Sequence, residues 1–247
     1  MRQACAKTIV WASEKGVQTD IVTKVLGANL YFARLTGHGQ NSAAMEAATF
    51  DEWRADVSQA IEVANFIGKR VMVIGCSTGC TLAVDALSKW TGVACLVCIS
   101  PNFGLTHRIG QALLDFPYVQ HWGHLFAGKK RSVPLRSDAH AAYWTTSYLT
   151  CAVYPIADAM HVVRKTDLST IQTPAVFAFN PTDQVVRAQK TQRVMARWGG
   201  QVTGYELIQS PDDDVLGHVI AGDMFSPGQT APLVAAILRW FGPFNCG

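Results

Sequence analysis

Five residues, Gly75-Cys76-Ser77-Thr78-Gly79, carry the clearest chemical content in the chain. A serine with a glycine two positions away on either side is the G-x-S-x-G pattern of a nucleophile elbow. A serine hydroxyl is a weak nucleophile until a base takes its proton and a turn presents its oxygen to the substrate. A sharp strand-to-helix turn does the presenting. Its backbone is strained, and side chains two residues to either side would collide across it. The same turn leaves N–H groups at the helix start without intrahelical acceptors, which suits a developing negative charge. The bland alternative is an ordinary glycine-rich turn, so the flanking segments must decide.

Those segments have the required character. Residues 70–76 (RVMVIGC) are nearly all apolar, as a strand buried on both faces must be, and residues 78–90 leave the motif as a helix. Residues 93–100 (VACLVCIS) and 174–180 (PAVFAFN) read as strands of the same kind, with 29–35, 202–208 and 8–12 (TIVWA) as further strands. Between them, residues 50–66 place Trp53, Val57, Ile61 and Ala64 at helical spacing, with Thr49 and Glu52 at capping-box spacing and Gly68 just past the end. Residues 186–198 and 230–241 also read as helices. Strand alternating with helix predicts an α/β fold, a mostly parallel sheet flanked by helices. Residues 101–167 interrupt the alternation and are rich in Trp, Tyr, His and Leu. A structureless loop of that length is improbable in a compact domain. They read as a helical cap inserted into a core made of residues 1–100 and 168–247.

With strand, turn and helix in place around Ser77, the chain resembles the α/β-hydrolase superfamily, in particular its small carboxylesterases and monoacylglycerol-lipase-like members. Arg34-Leu35-Thr36-Gly37-His38-Gly39 is similar to that family's R-x-x-G-H-G turn after an early strand. Ser100-Pro101-Asn102-Phe103 is similar to its passage from a strand into the cap. The resemblance spans roughly residues 27–241. It implies an acid and then a histidine following the nucleophile in chain order. Asp183, just after the strand 174–180, fits the acid, although an aspartate there is also a common helix N-cap. Asp212, Asp213 and Asp214 are the alternatives, close in sequence to the histidine. His218, in Gly217-His218-Val219-Ile220 between the last strand and the last helix, fits the base. His38 belongs to the G-H-G turn and reads as structural. His107, His121, His124, His140 and His161 fall in the cap segment, as loop residues or pocket lining.

The resemblance implies ester cleavage through an acyl-enzyme on Ser77, with His218 as base and Asp183 orienting it, and with no cofactor and no metal. The Thr78 N–H would be one oxyanion donor. In relatives the second follows the third strand and is marked by His-Gly, a dipeptide that does not occur here before Gly37. If residues 8–12 fill that strand's slot, Ala12 or Ser13 becomes the second donor. The two strands that open the fold in relatives have no counterpart before residue 8, so the sheet is expected to lack them. Trp122, Phe126, Tyr143 and Trp144, together with Tyr148, are expected to line an acyl pocket or to form the cap's own core. The contrasting reading is a catalytically impaired binding protein of the same fold, or a truncated hydrolase with an incomplete oxyanion hole.

Composition narrows the class further. The chain has 247 residues, 49% of them hydrophobic and 16% charged, with a net charge of +3. Lys129-Lys130-Arg131 is its one basic cluster, too small for a nucleic-acid footprint. No run of about 18 to 20 apolar residues is present to form an integral membrane segment. The first seven residues contain no apolar signal-peptide core. Seven cysteines, an odd number at low density, suit free thiols and a cytoplasmic location. Cys95-x-x-Cys98 sits inside an apolar run and reads as core. The expected partner is a small-molecule ester, and a shortened sheet with an open edge makes a homo-oligomer possible.

Overall fold

A computed structural model describes residues 7–11, 17–116, 130–132 and 147–242. In chain order the elements are β1 (Lys7–Trp11), α1 (Val17–Leu26), β2 (Asn29–Phe32), α2 (Ser42–Ala47), α3 (Phe50–Ile67), β3 (Arg70–Cys76), α4 (Thr78–Leu87) and β4 (Val93–Ile99). Then follow α5 (Arg108–Asp115), β5 (Lys130–Ser132), β6 (Ser147–Leu149), α6 (Tyr154–Lys165), β7 (Ala175–Phe179), α7 (Ala188–Ala196), β8 (Val202–Glu206) and α8 (Pro227–Phe241). Six strands form one sheet in the order β2-β1-β3-β4-β7-β8, with every pairing parallel. β1 lies beside β3, filling the slot next to the elbow strand, and β2 and β8 are the edges of this sheet among the described residues.

The apolar runs of β3 and β4 are explained by two helical layers. Val71, Val73, Leu96 and Cys98 face the layer of α3, α4, α6 and α7, packed around the fully buried Trp53. Met72, Ile74, Cys95 and Val97 face α1 and α8 through Val22, Leu233, Val234, Ile237 and Phe241. Cys95 and Cys98, three apart on one strand, therefore point to opposite faces and cannot chelate together. Burial pushes the Cys95 thiol up to about 12. Both are core residues.

The capping box of α3 is present. Thr49 Oγ1 accepts from Glu52 N–H at 3.2 Å, and Thr49 N–H donates to Glu52 Oε2 at 2.8 Å. Trp53 ties α3 to the G-H-G turn by donating Nε1–H to the Thr36 carbonyl at 2.9 Å. Several elements differ from expectation at their ends. β2 stops at Phe32, and Ala33 and Leu35 are buried without joining the ladder. α4 stops at Leu87, and α8 starts at Pro227, where a residue lacking an N–H is at home. α1 is not legible as a helix because it buries Gln18, Thr19 and Thr23, which blurs its apolar period. Within 101–167 the described residues form α5, an antiparallel ribbon of β5 and β6, and α6, which packs on α3 and α4. Among the described residues, no helix is long and apolar enough to cross a membrane.

Candidate active site

β3 runs into a turn at Ser77, whose φ of 48° and ψ of −115° lie outside the regions serine favours. The turn is held from both sides. Ser77 N–H donates to the Ile99 carbonyl at 2.9 Å, and the Ser77 carbonyl accepts from Cys80 and Asn102 N–H, each at 3.1 Å. A Cβ at Gly75 would sit 2.8 Å from Cys80 N and 2.9 Å from Cys80 Cα, so the first turn of α4 can close over the strand only against a glycine. Ser77 is half-buried, and Thr78 opens α4 with its N–H at a helix start.

Two further loops meet Ser77. Beyond β7, the Asp183 carboxylate is 2% exposed, and its Oδ1 accepts Val185 and Val186 N–H at 2.7 and 2.9 Å. That leaves Oδ2 for His218 Nδ1, 2.8 Å away, while His218 Nε2 lies 3.0 Å from Ser77 Oγ. A ring that donates Nδ1–H to a carboxylate presents Nε2 as an acceptor to the serine hydroxyl. Gly217, at φ +71°, lets the two loops interlock. A Cβ there would lie 2.5 Å from Asn180 Nδ2, which donates to the Gly217 carbonyl at 3.1 Å. The arrangement can move a proton from the serine oxygen to the ring and hold the resulting cation beside a carboxylate.

Of the alternative acids, Asp212 is exposed. Asp213 Oδ2 accepts from Ser210 N–H and the Gln229 amide at 2.7 and 2.8 Å. Asp214 Oδ2 accepts the main-chain N–H groups of His218 and Val219, both at 3.0 Å. Ala12 and Ser13 lie outside the described residues, as do Trp122, Phe126, Tyr143 and Trp144. β1 ends at Trp11 in register with Ile74, three residues before Ser77 on the adjacent strand. His38 packs edge-on against Trp53 at 5.2 Å, and burial holds its pKa below the ordinary imidazole value. His107 caps α5 by accepting from Gly110 N–H, and His161 is exposed on α6. His121, His124 and His140 lie outside the described residues. Among the described residues, no group of His, Cys, Asp and Glu is arranged to hold a metal. Sequence reasoning passed over Ser100 and Asn180, each the polar residue that follows a buried apolar strand. Ser100 Oγ donates to the His218 carbonyl at 2.5 Å.

A family profile described as serine aminopeptidase, S33, matches residues 25–210, a span that holds Ser77 and Asp183 and stops short of His218. No curated protein gives a significant match. Among solved structures, the chain is similar to one reported for LipS and LipT, two metagenome-derived lipolytic enzymes. That match has a TM-score of 0.74 and 17% identity, covering 97% of this chain and 94% of that one. A soluble variant of monoglyceride lipase from Saccharomyces cerevisiae matches at a TM-score of 0.67 and 9% identity, over 96% and 86%. Monoacylglycerol lipase from Paleococcus ferrophilus matches at 0.64 and 14%, over 95% and 92%. At these identities the likeness establishes the α/β-hydrolase fold.

Proposed function

The chain belongs to the family described as serine aminopeptidase, S33, and from that premise we propose that it is a serine hydrolase cleaving carboxylic esters through an acyl-enzyme on Ser77. The observation that carries this reading is the continuous path Asp183 Oδ2–His218 Nδ1 and His218 Nε2–Ser77 Oγ, at 2.8 and 3.0 Å. In the proposed reaction, Nε2 takes the hydroxyl proton as Oγ attacks the ester carbonyl. The Thr78 N–H steadies the oxyanion, and His218 then returns the proton to the leaving alcohol. Water, activated by the same ring, releases the acid. Ala12 or Ser13, following the strand beside β3, is the proposed second oxyanion donor. The cap aromatics Trp122, Phe126, Tyr143 and Trp144 are the proposed acyl-side lining.

The family's description names an aminopeptidase, which would need a carboxylate to hold a substrate ammonium. Among the described residues, the fully buried carboxylates are already engaged. Asp85 pairs with Arg54 and Lys89, Asp183 with His218, and Asp213 and Asp214 with amide and main-chain N–H groups. These four carboxylates are therefore not free to hold a substrate ammonium. The lipase names of the fold relatives point to acyl or monoacylglycerol-like esters. The test is hydrolysis of p-nitrophenyl esters with acyl chains of increasing length by the wild type and Ser77→Ala. Activity present in the first and absent in the second is expected. Inactivity of the folded wild type, together with failure of a fluorophosphonate to label Ser77, would overturn the reading in favour of a binding protein.

A further inference from the structure

His218 lies in a loop between β8 and α8, and no helix or strand ladder holds its main chain. Two buried side chains do so instead. Its N–H donates to Asp214 Oδ2 at 3.0 Å, an oxygen that also takes Val219 N–H at 3.0 Å. Its carbonyl accepts from Ser100 Oγ at 2.5 Å. We propose that Ser100 and Asp214 are positioning residues, a clamp on the two main-chain groups of His218 that sets where its imidazole meets Ser77. The proposal rests on the catalytic reading above for its consequence and on these bonds for its geometry.

Ser100 is the more telling half. It is 1% exposed and has a φ of 48°, the left-handed region that glycine occupies without strain and serine does not. An unfavourable backbone persists where the surrounding structure over-determines it, commonly at functional sites. Here the surroundings are specific. Ser100 N–H donates to the Ala178 carbonyl at 2.8 Å, and the preceding Ile99 carbonyl accepts the Ser77 N–H at 2.9 Å. The strand end that seats the serine nucleophile is thus continuous with the residue that grips the histidine. Glycine would relax the backbone but lose the hydroxyl.

Asp214 is fixed in turn. Its N–H donates to Ser226 Oγ at 3.1 Å, and its carbonyl accepts from Gly217 N–H and from the Gln209 amide, each at 2.8 Å. Ser226 Oγ in turn donates to the Val219 carbonyl. Its carboxylate accepts N–H groups of the loop from Leu216, His218 and Val219, while the imidazole bonds to Asp183. An acid four residues before the histidine therefore has a different task from the acid that orients its ring.

Ser100→Gly separates positioning from simple stabilisation. Relief of the positive φ opposes the loss of one buried hydrogen bond, so the variant is expected to stay folded with Tm changed by only a few degrees. It should slow kcat on a p-nitrophenyl ester and fluorophosphonate labelling of Ser77 by about 10- to 100-fold, with KM within about twofold, as for a sub-ångström to 1 Å misplacement of the base. Asp214→Asn, which keeps an acceptor oxygen for the two N–H groups, should recover most of the labelling rate lost in Asp214→Ala. A folded Ser100→Gly protein that labels at the wild-type rate would overturn the clamp. A readout free of turnover is the downfield proton resonance of His218 Nδ1–H, expected in the wild type and broadened or shifted in Ser100→Gly. If the wild type shows that resonance but does not label, the acyl-enzyme reading fails, and the resonance in Ser100→Gly still decides the clamp: altered supports it, unchanged refutes it.

Discussion

Asp183→Asn is the substitution that most directly separates orientation of the ring from construction of the fold. Asparagine has the shape of aspartate, and its oxygen can keep the bonds from Val185 and Val186 N–H that now measure 2.7 and 2.9 Å. Its amide nitrogen, however, takes the place of Oδ2, 2.8 Å from His218 Nδ1, and brings a donor where an acceptor stood. The ring must then accept at Nδ1 and carry its proton on Nε2, which faces Ser77 Oγ at 3.0 Å. A protonated Nε2 cannot take the serine proton. Inverting the tautomer in this way lowers kcat by about 10⁴, roughly 5.5 kcal/mol of transition-state stabilisation. Stability should fall by less, about 1.5–3 kcal/mol, because one charge-assisted bond is lost while two main-chain bonds remain. KM should stay within about threefold, since the carboxylate lies behind the ring and is 2% exposed. Steady-state hydrolysis of p-nitrophenyl butyrate and urea denaturation of the same preparations measure both numbers. A folded variant within about tenfold of wild-type kcat would refute the tautomer argument and the role assigned to Asp183.

Gly75→Ala drives a Cβ to within 2.9 Å of backbone atoms of Cys80, so α4 must shift. The expectation is a loss of about 1–3 kcal/mol together with slower fluorophosphonate labelling, and unchanged labelling would show that the elbow tolerates the shift. Asp85 is 4% exposed at its side chain and pairs with Arg54 and Lys89, which are 32% and 46% exposed. Because both cations can turn to water, Asp85→Ala should cost about 1–2 kcal/mol rather than the 3–5 kcal/mol of a fully buried pair, as read by urea midpoint. Burial holds the His38 pKa below the ordinary value, so the unfolded chain takes up that proton first as the pH falls. Its contribution is whole above the unfolded imidazole value of about 6.5 and is lost toward acid. His38→Gln should therefore flatten the decline of Tm between about pH 7 and about pH 5, and an unaltered slope would assign that decline to other groups.

The parts of this protein that its sequence determines by itself are the local ones. The apolar runs of β3, β4 and β7 announce strands covered on both faces, and the capping box of α3 fixes where a helix begins. Gly75 and Gly79 around Ser77 specify a turn that few other sequences can make. Chain order supplies candidates for the acid and the base. Resemblance to the family singles out Asp183 as the acid, but the residues by themselves do not bring any one aspartate to the ring. Asp183 and Asp214 are both buried carboxylates that accept main-chain N–H groups near a histidine, and one of them lies only four residues from it. The parallel order β3-β4-β7-β8 makes the choice by bringing three strand ends to one edge, so that a bond spans 141 residues between His218 and Ser77 and another spans 35 to Asp183. Ser100 is decided the same way: nothing adjacent in the chain reveals that its hydroxyl closes on a carbonyl 118 residues later. Periodicity records how often a residue is buried. Which buried polar group it meets is set by packing, because a hydrogen bond requires its partner within about 3 Å, and only the assembled sheet brings such distant residues that close.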